Sequence, residues 1–287
     1  MRKPLRYRGG GKSSIEWEGP FEGIPDWLWS AVSKWLLDVF RNGISAYGDQ
    51  IWNTQALRAL EQFLRTSFSW TTDDGPVKSL LQQCGADQDL ALDAIDWCLE
   101  HLESARRTAH ELQGSLTNSA SVWTIDVDEN DVLELQRRVG ETVTTTVKTA
   151  ANPGSKSDFH LRQSWSNIYG LSGDPSVAYR EAVKAVEAAA IPIVSPANGS
   201  ATLGTVIGEM KANPTKFNCA LQPSGGLSAI DQVIGMLSLL WKAQLDRHGN
   251  PDPSAPISAT PEEAEAALHL AATLVHWFDS GAVSNIS

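Results

Sequence analysis

Cysteine is scarce. The 287 residues contain three, Cys84, Cys98 and Cys219. An odd number with no CxxC pair excludes a disulfide framework and points to free thiols in a reducing, cytoplasmic compartment. Positive charge is also short. Lysine and arginine number 23 against 34 aspartates and glutamates, a formal net charge of −11. That excludes a global basic field for nucleic acid and leaves only a local basic patch. Long apolar runs are missing: none reaches the roughly 18 residues of a membrane span, so no membrane partner is expected. No phosphate-binding GxxxxGK(S/T) loop occurs, no GxSxG, no HExxH and no glycine-rich dinucleotide turn, so no cofactor is expected.

What remains is ordinary globular material, 42% hydrophobic and 20% charged. At this length it suits two domains or one large one. The first twelve residues carry Arg2, Lys3, Arg6, Arg8 and Lys12 and no acid. No apolar segment follows, so neither a signal peptide nor an anchor is expected; the readings are a solvated tail, or an arm that touches phosphate or a partner. Tryptophan is abundant, with eleven residues spread from Trp17 to Trp277. Core packing accounts for most of them. Trp27 and Trp29 flank Leu28, so one of them must leave a single apolar stripe, and a stacking platform for bases or sugars is the sharper reading.

The apolar spacing predicts a mainly α protein. A helix begins near Pro25, with Leu28, Val32, Trp35 and Val39 on one side, and stops at Asn42-Gly43. A second is expected over 51–66, a short one from Pro76 to Gln83, and a long one from Asp87 to Gln113. Alternation from Val122 to Val127 predicts a short strand or hairpin near 121–128. The DENDV segment then reads as the start of a helix through LELQRRV to about Lys148. A break at Ala151-Asn152-Pro153-Gly154-Ser155 divides a helical N-terminal region, 1–150, from a C-terminal region, 151–287.

In the C-terminal region a first helix contains Phe159, Leu161, Trp165 and Ile168. The next opens after Gly173-Asp174-Pro175, carries Arg180, Lys184 and Glu187 on one face, and ends at Ile191-Pro192. A shorter helix covers 201–210. An apolar helix follows, with Ile230, Val233, Ile234, Leu237, Leu240 and Trp241, and residues 230–241 are expected to be almost entirely buried. The last helix has the clearest start: Thr260 as N-cap, Pro261 in the first position and Glu263 closing a capping box. On it, Glu265, His269 and His276 have a spacing that a metal site would allow, but no further ligands are evident, so no metal is expected.

The stretch AYREAVKAVEAAAIPIV, then TLGTVIGEM, then an apolar helix ending in DRHG, then EEAEAALHLAATLVHWF resembles the C-terminal domain of abortive-infection proteins, which is similar to the HEPN all-helical fold. The likeness covers roughly residues 156–280. It implies a HEPN-like bundle, a homodimer through that bundle, and a role in phage defence or exclusion. It also implies a site at the helix-ending turn, where Glu187, Arg247 and His248 would converge. Ribonucleases of that family separate arginine and histidine by four to six residues; a histidine can move a proton at a ribose hydroxyl while an arginine holds phosphate. Here Arg247 and His248 are adjacent, and Lys242 is the cation six residues before His248. His248 before Gly249 can equally be a helix cap, and Glu187 a structural acid with a partner. The favoured expectation is therefore an interaction or sensor module with an RNA or protein partner. The alternatives are a metal-independent ribonuclease effector and a helical scaffold with no defence role.

Overall fold

The computed structural model describes residues 20–128, 130, 132–223, 225–242 and 258–286. Among the described residues helix accounts for 62%, in eleven helices, with three antiparallel two-stranded ribbons, so the class is mainly α. Two compact units divide at Arg138 and Val139. The break expected at 150 and 151 lies twelve residues later, after a helix that packs within the C-terminal unit.

In the N-terminal unit, α1 (Asp26–Phe40) buries Leu28, Val32, Trp35, Leu36, Val39 and Phe40 on one stripe. It leads into a hairpin, β1 (Arg41–Ile44) and β2 (Gln50–Trp52). The expected helix start at residue 51 is thus corrected: 50–52 are paired strand, and Asn53 caps α2 (Thr54–Phe63) by accepting the Ala56 N–H. Next come α3 (Gly75–Ala86), α4 (Gln88–His101) and α5 (Glu103–Asn118). The single long helix expected over 87–113 is two. Leu102 is extended at the joint, and the Arg106 guanidinium donates to the carbonyls of Leu99 and Glu100. The break survives because those helix-end acceptors find a side-chain partner. Trp35 Nε1 donates to the Thr108 carbonyl and Ser104 Oγ to the Val39 carbonyl, which tie α1 to α5. Trp27 is 58% exposed, while Trp29 lies half-buried against Gly85, where an added Cβ would meet the indole at 3.3 Å.

The segment LELQR is not helical. It forms β4 (Leu133–Arg137), paired with β3 (Trp123–Val127) in the register Ile125 to Leu135. A two-stranded ribbon is marginal alone, and here side chains satisfy both outer edges. Gln113 Oε1 accepts the Ile125 N–H at 2.7 Å, and Asp96 Oδ1 accepts the Leu135 N–H at 2.7 Å. Leu135 is fully buried. These partners override the helical preference of Leu, Glu, Gln and Arg. Burial, opposed in part by the Leu135 N–H, pushes the Asp96 carboxyl up to about 6. A raised carboxylate value means that ionisation in the folded state opposes stability, fully above about pH 6 and hardly at all near pH 4. Asp96→Asn keeps an acceptor and removes the charge. Urea unfolding should show a gain of about 1 kcal/mol near pH 8 and none near pH 4; equal gains at both would contradict the charge argument.

In the C-terminal unit, α6 (Glu141–Lys148) precedes α7 (Lys156–Tyr169) and α8 (Pro175–Val194). The central helix is α8, packed most extensively against α7 and α11 (Pro261–Asp279). Its buried Ala178, Ala182, Ala185, Ala189 and Ala190 allow close approach. Pro192 does not end it. The helix runs to the buried Val194, and the Ser195 N–H closes onto the Ile191 carbonyl, so one missing donor in the last turn is tolerated. Then come α9 (Leu203–Ala212), β5 (Phe217–Cys219) and α10 (Ala229–Lys242). After α11, β6 (Val283–Asn285) pairs with β5, a three-residue ribbon that the periodicity does not reveal. Thr260, Pro261 and Glu263 form the capping box as expected. On α10, Ile230, Val233, Ile234, Leu237 and Leu240 are buried, but Leu239 is 64% exposed, so 230–241 is a stripe and not a wholly buried rod.

Candidate functional site

Glu187 projects from α8 toward the start of α9. Its Oε1 accepts the N–H of Leu203 at 2.7 Å. The same helix start carries a second capping device, Thr202 with Thr205. Its Gly204 lies against Trp241, since a Cβ there would come within 2.9 Å of the ring. Tyr179, also on α8, donates its hydroxyl to the Leu240 carbonyl at 2.9 Å. Burial first, then the charge of Glu263, pushes the Tyr179 phenol up to about 12, so it stays a donor. The C-terminal turn of α10 is thereby tied to α8 and α9, and Glu187 is part of that joint. Arg247 and His248 lie outside the described residues; Lys242 is exposed. Of the three residues expected to form the site, only Glu187 is placed, and its carboxylate satisfies a helix-start amide. Glu187→Ala should lower the stability of the C-terminal unit by about 1 kcal/mol, as loss of an N-terminal cap does. A thermal melt unchanged from wild type would show that the amide finds another acceptor.

Two further clusters lie on the bundle. Tyr169, at the end of α7, donates to Glu265 Oε1 at 2.8 Å and lies 3.4 Å from His269 Nε2. Burial and then the Glu265 hydrogen bond push this phenol well above its usual value. Glu265 and His269 thus share a partner on α7, while His276 is exposed and apart. Among the described residues no three His, Cys, Asp or Glu side chains converge as a metal site requires.

The other cluster has stronger chemistry. Glu181 on α8 is only 4% exposed. Its Oε2 lies 2.7 Å from His160 Nδ1 on α7, and its Oε1 accepts from Lys184 Nζ at 2.6 Å. Burial pushes the Glu181 carboxyl up, but the bonds from Lys184 and His160 outweigh it and hold the group below its usual value. A carboxylate on Nδ1 fixes the imidazole tautomer and leaves Nε2 to accept or give a proton. No hydrogen-bond partner holds that nitrogen among the described residues. The polar face read from Arg180, Lys184 and Glu187 passes over Glu181. Its signal was an acid between Tyr179 and Ala182, within the buried surface of α8, where burial demands a partner.

Compared with family models, with curated proteins and with solved structures, the chain matches none.

Proposed function

We propose that the protein is a cytoplasmic recognition module of the abortive-infection type, acting in phage defence or exclusion, with a HEPN-like C-terminal bundle. The observation that favours recognition over RNA cutting is the Glu187–Leu203 bond, which gives the acid of the expected catalytic trio a capping task. The order α7 to α11 supports the likeness to that bundle. Three free, buried cysteines support a reducing compartment, and no helix among the described residues is long and apolar enough to cross a membrane. The C-terminal unit pairs with a second copy. Gln232 and Met236 of α10 line a groove of about 280 Å³ with Cys219, Leu221 and Trp277, and Leu239 follows Met236 on the same helix face. Leu221 and Leu239 are each 64% exposed, and apolar exposure of this kind marks contact surfaces. Light scattering at micromolar concentration should give a dimer, and Leu239→Glu a monomer.

A second reading, a metal-independent ribonuclease, draws support from the oriented imidazole of His160. One experiment separates the two. Wild type, His248→Ala and His160→Ala are induced in a bacterial host under phage challenge, and the purified proteins are incubated with RNA in chelator. Recognition predicts a fall in plaque count with wild type and no RNA products from any protein. Cleavage lost only in His160→Ala would replace this reading with catalysis by the Glu181–His160 pair. Cleavage lost only in His248→Ala would restore the catalytic turn.

A further inference from the structure

The N-terminal unit has a groove of about 490 Å³ between the β1–β2 hairpin and the start of α3. Pockets of this size hold a small ligand or one to two side chains of a partner. Its walls include Tyr47, Trp52 and Trp70, three rings from two separate segments. Among the described residues its charged lining is Asp49 and Asp73, with no lysine or arginine. Neither aspartate forms an ion pair among the described residues. The adjacent Asp74 differs. It pairs with Lys78 and accepts from Thr72 Oγ1, and so is already satisfied.

The walls are held in place. Ser45 Oγ accepts the N–H groups of Tyr47 and Asp49, and the Ser45 N–H donates to the Asp49 carbonyl, closing the hairpin turn that carries both residues. Gly48 at φ 89° supplies the left-handed step of that turn. Trp70 is fixed by its Nε1, which donates to both oxygens of Glu61. The Arg58 guanidinium lies over this ring at 4.0 Å, so Tyr47 and Trp52 are the wall rings on which no cation stands among the described residues. Tyr47 is 94% exposed at the rim, as an aromatic waiting for a partner would be.

We propose that this groove binds an arginine or lysine side chain of a basic segment in a partner protein. A cation is attracted by ring faces and by carboxylates together. An anionic ligand would meet two carboxylates in the lining, while Arg58, the cation on the Trp70 ring, is not among the lining residues. The chain's net charge of −11 adds long-range attraction for a basic partner. The inference rests on the recognition reading only in that it gives the chemistry of what is recognised, and it is tested without phage, so each can fail separately.

The test uses the full chain and a fluorescein-labelled peptide, Gly-Arg-Gly-Arg-Gly, followed by fluorescence anisotropy. Binding should weaken at least fivefold, roughly, between about 50 and 300 mM NaCl, because the contacts are partly exposed to screening. Asp49→Asn with Asp73→Asn should weaken it about tenfold, and Trp52→Ala by a similar factor, through loss of charge-assisted and cation–π contacts. The control is Glu209→Gln with Asp231→Asn, which removes the same formal charge from the C-terminal unit and should change binding less than twofold, roughly. Melting curves confirm that the exposed aspartate variants remain folded. Absence of binding overturns the proposal, and so does equal weakening in the control pair, which would reduce it to bulk attraction. A neutral oligosaccharide that competes with the peptide and ignores Asp49→Asn with Asp73→Asn overturns it in favour of a sugar site. If glutamine at Arg2, Lys3, Arg6, Arg8 and Lys12 together raises affinity tenfold, roughly, the chain's own basic arm is the occupant and the partner reading falls.

Discussion

Phe278→Ala should cost the C-terminal unit about 3–5 kcal/mol. Phe278 is 2% exposed and is among the largest fully buried side chains of the chain. It closes the stripe of Ala264, Ala267, Leu268, Ala271, Leu274 and Val275, by which α11 packs against α8 and α7. Truncation removes the ring's transfer free energy and leaves a cavity in a layer made mostly of alanine, which has few long side chains to collapse into it. Leu239→Ala is the contrasting variant. Leu239 is 64% exposed, so its loss should stay within about 0.5 kcal/mol in dilute monomer. Urea unfolding checks both. Because the chain has two units, the comparison is made on the transition that Phe278→Ala moves, and the other transition should stay in place. Similar small shifts for both variants would mean that the α11 stripe is not core.

The next largest effect is expected at Glu181. Glu181→Gln removes the charge that accepts from His160 and Lys184, and it should lower stability by about 2 kcal/mol near neutral pH. The loss stays below that of a fully buried pair because the side chains of Lys184 and His160 are 45% and 22% exposed and can reach water. The pH dependence follows from the direction of the shift. The folded carboxyl titrates below its ordinary value of 4.5. Its contribution is therefore complete above that value and disappears as pH falls through the folded one. Wild type should lose urea resistance on acidification below about pH 4.5, while Glu181→Gln should lose less over the same range, with the two curves converging at the acid end. Curves that remain parallel would refute a contribution from this carboxylate. The imidazole adds a separate readout: its ring protons should shift between wild type and Glu181→Gln in nuclear magnetic resonance spectra, since the variant no longer presents an anion to Nδ1.

Features that depend on neighbours a few residues apart are legible in the amino-acid order. The start of α11 is the clearest case, because Thr260, Pro261 and Glu263 satisfy helix-start donors within one turn. The stripes of α1, α8, α10 and α11 were legible for the same reason: each is a period written on a single helix. So was the strand at 123–127, from alternation alone. Decisions that joined distant residues were not legible. Whether Leu102 continued a helix depended on Arg106 folding back over the carbonyls of Leu99 and Glu100. Whether LELQR became helix or strand depended on β3 and on Asp96, 39 residues away from Leu135. Pro192 read as a stop because its missing N–H is a local fact, whereas the burial of Val194 that carries the helix past it is not.

The site divides along the same line. Glu187 was recognisable as an acid in need of a partner, but its partner is the backbone amide of Leu203, a donor that every non-proline residue carries and no composition can single out. Glu181 and His160 are 21 residues apart on different helices, and only the packing of α7 on α8 brings Oε2 to within 2.7 Å of Nδ1. The groove beside Tyr47 likewise needs a hairpin and a loop to face each other before Asp49, Trp52, Trp70 and Asp73 share one wall. Local hydrogen bonds and hydrophobic period set the elements; burial, which forces each desolvated polar group to find a partner wherever the chain offers one, decided the pairs.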